Sequence, residues 1–132
     1  MTTRAEIVAH ARDTLGTSYA EMDCAGVPLY VARKLGMDVK RFPVRPSADT
    51  IRDYLDSVLV RGAKADMQPG DIVWLRFKVQ PTHFGVVGDY LFGGLSLIHS
   101  NDDKSIAKVV EHRLDDAWKS RIVAVWRYPG VA

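Results

Sequence analysis

The spacing of apolar residues changes near residue 70, and this change restricts the fold more than any other feature of the chain. Before it, apolar residues recur three or four positions apart, which is typical of helices that bury one face. After the turn signal Gln68-Pro69-Gly70 they form short runs rich in β-branched and aromatic residues, which is typical of strands. Helices followed by a run of strands predict an α+β fold.

Three helices are predicted in the first part of the chain. The first begins at the capping-box spacing of Thr3 and Glu6, the second covers residues 24–35, and the third begins at Ser47 as its N-cap. Pro28, inside the second helix, predicts an irregular first turn or a later start. The inward-facing residues of these helices are predominantly apolar and share helical spacing: Ile7, Val8, Ala11 and Leu15; Val27, Tyr30, Val31 and Leu35; Ile51, Tyr54, Leu55 and Val58.

Five strands are predicted after the turn, separated by glycines and short polar segments. They cover residues 71–77, 83–87, 95–100, 107–112 and 122–128, and a short helix is predicted at residues 114–119. The predicted fold is therefore α+β, with N-terminal helices packed on an antiparallel sheet of roughly five strands.

Length and charge limit the function classes. The chain has 132 residues, of which 47% are hydrophobic, and this predicts one domain over residues 1–132. Its formal charge is only +2 and its charged residues are spread along the chain, so we expect no nucleic-acid partner. The first sixteen residues contain no continuous apolar run, which predicts no signal peptide, no membrane partner and synthesis as a soluble cytoplasmic protein.

The single cysteine, Cys24, lies in the tetrapeptide Asp23-Cys24-Ala25-Gly26, where the second predicted helix begins. The thiolate is the nucleophilic form, and a free thiol with a pKa near ~8.5 is mostly protonated at neutral pH. A helix N-terminus and an adjacent imidazolium lower that pKa, and the N–H groups of such a terminus can donate to an oxyanion. Gly26 lets this backbone approach a substrate closely. Cys24 is therefore a candidate nucleophile.

Two later histidines are candidates for its partners. His83 lies at the start of a predicted strand, where Phe84 and Val86 alternate to the opposite face. His99 follows across a predicted hairpin and can hydrogen-bond the far nitrogen of His83, which fixes its tautomer. The order Cys24, His83, His99 is that of a nucleophile, a base and an orienting group.

Other interpretations of these residues remain open. A lone cysteine is more often a small buried apolar residue than a nucleophile. The absence of CxxC, HxxxH and HExxH spacing argues against a metal site, and no cofactor is predicted. His10 and His112, to which the spacing assigns no partner, are predicted to be structural. Arg41 and Arg45 are predicted to lie in a solvated loop, with contact to a substrate carboxylate as the alternative.

The sequence resembles the motif series of the NlpC/P-sixty cysteine peptidases over residues 15–129. The matching segments occur in the family's order: Gly16-Thr17-Ser18-Tyr19, Asp23-Cys24-Ala25-Gly26, Pro69-Gly70-Asp71-Ile72-Val73, His83-Phe84-Gly85-Val86-Val87 and Ile98-His99-Ser100. The closing segments are similar to the phage-tail and prophage branch: Val109-Val110-Glu111, Trp118 and Arg127-Tyr128-Pro129.

The resemblance implies a minimal papain-like fold and a cysteine endopeptidase that hydrolyses peptidoglycan stem peptides between D-γ-glutamate and a diamino acid. Cys24 matches the nucleophile, His83 the base and His99 the orienting member. Tyr19 matches the tyrosine that borders the family's active site, and Asp23 matches the acidic residue that holds a substrate amine.

The chain departs from the family in Ala25, where serine is common, and in the long passage 37–66, which we expect to form a lid or a docking surface. Without a wall-binding module, targeting would come from a phage particle or another assembly that carries the protein to the cell wall. Two alternatives stay open. One is a phage-tail or secretion-assembly component with weak or lost catalysis, and the other is a papain-like amidase or acyltransferase acting on a non-wall substrate.

Overall fold

A computed structural model describes residues 2–39, 47–79 and 81–131 of the chain. The helical elements are α1 (Arg4–Arg12), α2 (Gly26–Lys34), α3 (Ala48–Val58), a 3₁₀ turn (Lys64–Asp66) and α4 (Asp116–Lys119). The strands are β1 (Val60–Gly62), β2 (Ile72–Arg76), β3 (Pro81–Asp89), β4 (Leu95–Ser100), β5 (Val109–Arg113) and β6 (Ile122–Arg127). The α+β fold is as predicted.

The predicted helix starts depend on local side-chain caps. Thr3 accepts a hydrogen bond from the Glu6 backbone N–H, and Ser47 accepts one from the Thr50 N–H, both at 3.1 Å. Helix α2 begins two residues later than predicted, which places Pro28 in its first turn, where no intrahelical donor is required.

One inward-facing prediction in the first helix is wrong. Helix α1 ends at Arg12, before the chain reaches Leu15, and the Leu15 side chain is 43% exposed. Its apolar spacing continues the helical pattern, but the backbone has already left the helix.

Six strands of the described chain form one antiparallel sheet in the order β1-β6-β2-β3-β4-β5. The sheet has one strand more than predicted because β1 pairs its three residues with the far end of β6. Strands β3, β4 and β5 are consecutive neighbours joined by hairpins, so residues close to one another across them come from successive segments of the chain.

Each face of the sheet buries its own apolar cluster. Helices α1, α2 and α3 pack on one face, where the sheet contributes Ile72, Trp74, Phe84, Val86, Ile98, Val109, Ala124 and Trp126. The opposite face carries Val73, Leu75, Val87, Leu97, Leu114, Ile122 and Val125, against which Trp118 of α4 packs. Because side chains alternate along a strand, His83 and His99 belong to this second face, which we call the α4 face.

Part of the predicted connection lies outside the described residues. Residues 40–46 fall there, and with them the interpretations of Arg41 and Arg45 and an early part of the predicted lid or docking surface. Among the described residues, no helix combines the length and the apolar character that a membrane crossing requires.

Candidate active site

Cys24 lies directly before helix α2, at the edge of the α1–α3 layer. Ala25 is the N-cap of the helix, and its N–H donates to Oδ1 of Asp23 at 3.3 Å. The sulfur of Cys24 donates a hydrogen bond to the carbonyl oxygen of Thr82 at 3.1 Å. This contact places the thiol beside the start of strand β3, at the residue before His83.

The segment that leads to Cys24 is attached to the sheet by backbone hydrogen bonds. Gly16 N–H donates to the carbonyl of Val109 (3.0 Å), and Tyr19 N–H donates to that of Ala107 (2.8 Å). The hydroxyl of Ser100, at the end of β4, donates to the carbonyl of Met22. Because β4 and β5 therefore hold this segment, the position of the thiol is set by the same strands that carry the histidines.

Three histidines form a continuous chain of hydrogen bonds across β3, β4 and β5. Nε2 of His83 lies 2.7 Å from Nδ1 of His99, and Nε2 of His99 lies 2.8 Å from Nε2 of His112. Nδ1 of His112 donates to the carbonyl oxygen of Arg113 at 2.9 Å. His83 and His99 are 7% and 1% exposed, so these two members of the chain are shielded from water, while His112 at the outer end is half-buried.

His112 thus has a partner that sequence reasoning missed. Its spacing from the other histidines follows no familiar motif, and only the register of β4 with β5 shows its proximity to His99. In that register Leu97 is opposite His112 and Val110 is opposite His99, so the two imidazoles meet diagonally on one face. A predicted hairpin with a histidine on each arm is the signal that could have identified this pair.

Aromatic rings cover the histidine chain on the α4 face. The Trp118 ring lies 5.1 Å from the His99 ring and 4.7 Å from the His112 ring, measured between centroids. Phe77 lies edge-on to both His83 (5.6 Å) and Trp118 (5.4 Å). These contacts exclude water from the imidazoles and hold their planes in place.

The electrostatics of the site favour neutral groups at rest. Burial raises the pKa of the Cys24 thiol, and the negative charges of Asp23 and Asp102 raise it further, while the N–H groups of Cys24 and Ala25 oppose the rise. Burial lowers the pKa of His83 despite the opposing charge of Asp102. Burial outweighs the backbone donors at the start of helix α2, so the pKa of the thiol is shifted away from the thiolate form.

The pKa of His99, in the middle of the chain, is also lowered. Burial lowers its pKa to about 3, with further contributions from the neighbouring His83 and His112. It is therefore a neutral imidazole at physiological pH, with one nitrogen that donates and one that accepts.

The predicted substrate-binding residues occupy different positions around the thiol. Burial raises the pKa of Tyr19 most, and the negative charges of Cys24, Asp102 and Asp23 raise it further. A hydrogen bond from the Cys24 N–H opposes this rise, and this bond shows that the Tyr19 hydroxyl lies beside Cys24. Gly26 is buried against the side chain of Met22, which occupies the space a Cβ would need. Asp102, which the sequence did not single out, contributes a charge to Tyr19, Cys24 and His83 alike.

Comparison with known proteins identifies the fold. A scan against protein-family models found no match, and a search of curated proteins found none either. Among solved structures, an NlpC/P-sixty family protein of Bacillus cereus matches with a TM-score of 0.67, and a Staphylococcus aureus protein described as similar to a lipoprotein of the NLP/P-sixty family matches with 0.62. Each is 18% identical in sequence and covers 95% of this chain.

The described chain thus shares the α+β fold of these NlpC/P-sixty structures. It spans 41% of the Staphylococcus chain and 40% of the Bacillus chain, so about three fifths of each neighbour has no counterpart here. At 18% identity, the likeness to these structures shows the fold alone.

Proposed function

We propose that this protein is a cysteine endopeptidase that hydrolyses peptidoglycan stem peptides of the D-γ-glutamyl-diamino acid type. In this proposal Cys24 is the nucleophile, His83 is the general base and His99 orients His83. The observation that carries it is the 2.7 Å hydrogen bond between His83 and His99, together with the 3.1 Å contact of the thiol with Thr82, the residue before His83 in β3. These two contacts support the roles of nucleophile, base and orienting group for Cys24, His83 and His99.

The reaction begins from a neutral thiol and a neutral imidazole. Nε2 of His83 is engaged by His99, so Nδ1 is the nitrogen left to act as base. The sulfur turns from the Thr82 carbonyl towards Nδ1, His83 takes its proton, and the thiolate attacks the amide carbonyl carbon. At rest the Cys24 N–H donates a hydrogen bond to the Tyr19 hydroxyl. During the reaction this N–H donates to the oxyanion instead.

Two acyl-transfer steps complete the cycle. When the tetrahedral intermediate collapses, the C–N bond breaks and protonated His83 gives its proton to the leaving amine, which leaves a thioester on Cys24. Water then attacks the thioester while His83 accepts a proton from it. The C–S bond breaks, the acid is released, and His83 returns the proton to the sulfur.

The charges around the thiol support a substrate with a cationic group. Asp23 and Asp102 both act electrostatically on Cys24 and Tyr19, so the space in front of the thiol has a negative potential. Stem peptides present free amino groups, which such a potential attracts. Asp23 is the proposed partner of that amine and Tyr19 is the proposed wall of the binding site.

The test is hydrolysis of purified muropeptides, with products identified by mass spectrometry. Cys24→Ala and His83→Ala are each expected to lower kcat by at least about 10³-fold, because the nucleophile or its base is removed. His10→Ala is the matched control, since this helix α1 histidine lies outside the imidazole chain. Full activity of folded Cys24→Ala would overturn the proposal, as would a wild-type protein that is inert on every muropeptide.

One observation favours a second function, that of an assembly component with lost catalysis. The thiol of Cys24 is hydrogen-bonded to the Thr82 carbonyl at rest, and burial keeps it protonated. Such a protein would co-purify with a phage tail or secretion assembly and would show no hydrolysis and no reactivity of Cys24 towards iodoacetamide. Hydrolysis of any peptide that depends on Cys24 excludes it, and transfer products in the mass spectrum would indicate an acyltransferase instead.

A further inference from the structure

We propose that His112 is a positioning residue that sets the tautomer of His83 through His99. It does so from the far end of the hydrogen-bond chain, two imidazoles away from the thiol. The inference rests on the proposed function for its catalytic consequence, whereas the tautomers themselves are a property of the folded chain.

The donor and acceptor roles along this chain of hydrogen bonds are set at its outer end, at His112. The carbonyl oxygen of Arg113 can only accept a hydrogen bond, so Nδ1 of His112, 2.9 Å away, carries the proton. A neutral His112 then has a lone pair on Nε2 and accepts a hydrogen bond there. Nε2 of His99, at 2.8 Å, must therefore be the donor.

The same reasoning applies next to His99 and then to His83, the proposed base. Neutral His99 with a proton on Nε2 has its lone pair on Nδ1, so it accepts from Nε2 of His83 at 2.7 Å. His83 consequently carries its proton on Nε2 and has a lone pair on Nδ1. This is the tautomer that a general base for the Cys24 thiol requires.

Burial makes this arrangement hard to replace with other partners. His99 is 1% exposed and its pKa is lowered to about 3, so neither water nor a second proton competes for its nitrogens at neutral pH. Without an acceptor at His112, the Nε2–H of His99 would be a buried donor without a partner. His99 would then favour the opposite tautomer, which donates to His83 and places the His83 proton on Nδ1.

Two substitutions separate the acceptor from the packing role of His112. His112→Phe keeps a planar ring against Trp118, 4.7 Å away in the native protein, but removes the acceptor. His112→Gln restores an acceptor oxygen near the position of Nε2. A residue that only packs would tolerate Phe better than Gln, whereas the proposal expects the reverse.

The first measurement is ¹⁵N NMR of the imidazole nitrogens in the full chain, which needs no substrate. In the wild type we expect the proton on Nε2 of His83, on Nε2 of His99 and on Nδ1 of His112. In folded His112→Phe the first two should shift towards Nδ1–H, and in His112→Gln they should return. A wild-type His83 that is protonated on Nδ1, or unchanged tautomers in His112→Phe, would overturn the proposal.

The second measurement is steady-state hydrolysis. We expect His112→Phe to lower kcat about 10- to 100-fold with little change in KM, the size of effect that outer-shell partners of metal-ligating histidines have. His112→Gln should recover most of the loss. Equal kcat in wild type and His112→Phe would also overturn the proposal. If the wild type shows the expected tautomers but hydrolyses no muropeptide, the proposed function fails while the tautomer assignment stands.

Discussion

The reactivity of Cys24 towards iodoacetamide is expected to rise steeply between pH 7 and pH 9. Burial raises the pKa of the thiol, and the carboxylates of Asp23 and Asp102 raise it further. Only the thiolate is alkylated at an appreciable rate, so the rate follows the thiolate fraction. Cys24 is the only cysteine of the chain, so the label reports on this residue alone.

The smallest rise expected for this raised pKa follows from 9.0, the reference value above which the Cys24 thiol is shifted. A thiol with that pKa is about 1% thiolate at pH 7 and about 50% at pH 9, a rise of about 50-fold. Any higher pKa lowers both fractions, and the rise then approaches about 100-fold, the limit of tenfold per pH unit. A preformed ion pair with a thiol pKa below about 6 would give an almost flat rate instead.

The assay is intact-protein mass spectrometry of samples quenched at intervals, with free glutathione labelled in parallel as the reference. His83→Ala is the matched variant. Because burial lowers the pKa of His83, this residue is already neutral above pH 7, and replacing it should leave the shape of the rate profile unchanged. Equal rates at pH 6 and pH 9 would refute the reasoning, since they would mean that the helix start and the imidazole outweigh burial.

Two further substitutions test single charges in the structure. Asp102→Asn removes a charge that raises the pKa of both Cys24 and His83, so the alkylation midpoint should move to lower pH, and an unmoved midpoint would mean that solvent screens this carboxylate completely. Arg4→Met leaves the carboxylate of Asp71, which is 0% exposed and bonded to Arg4 at 2.8 Å, without its cation. We expect a loss of about 3 kcal/mol in the free energy of unfolding by urea, with Arg4→Lys as the charge-retaining control. A loss below about 1 kcal/mol would show that the Gln68 N–H satisfies the carboxylate alone.

The parts of the fold that depend on neighbouring residues were predictable from the sequence. The caps at Thr3 and Ser47 involve a donor three residues away, and the alternation of Phe84 and Val86 requires only the period of a strand. Strand β1 was missed because three residues carry almost no periodic signal. Its partner in β6 is more than sixty residues distant, with Val60 opposite Arg127.

Some features of the candidate site follow from adjacent residues, and others depend on residues that are distant in the sequence. Cys24, His83 and His99 lie in motifs of adjacent residues, so the sequence alone suggested them. The pKa of the thiol is raised by burial first and then by the charges of Asp23 and Asp102. Asp23 lies in the tetrapeptide around Cys24, whereas burial and Asp102, which comes from the loop between β4 and β5, are not visible there. His112 required the register of two strands, which no local pattern specifies.

The register of the sheet and the chain of imidazoles depend on each other. In β4 and β5, Leu97 is opposite His112, and His99 lies two residues further along the same face, so one imidazole reaches the other on the diagonal. A slip of one residue would move His112 to the face that packs against α1, α2 and α3 and leave the His99 Nε2–H buried without an acceptor. The native register is therefore the one that both keeps Val109 in the cluster packed against α1, α2 and α3 and satisfies His99. The hydrogen bond that we propose to orient His83 thus also helps to select the pairing of β4 with β5.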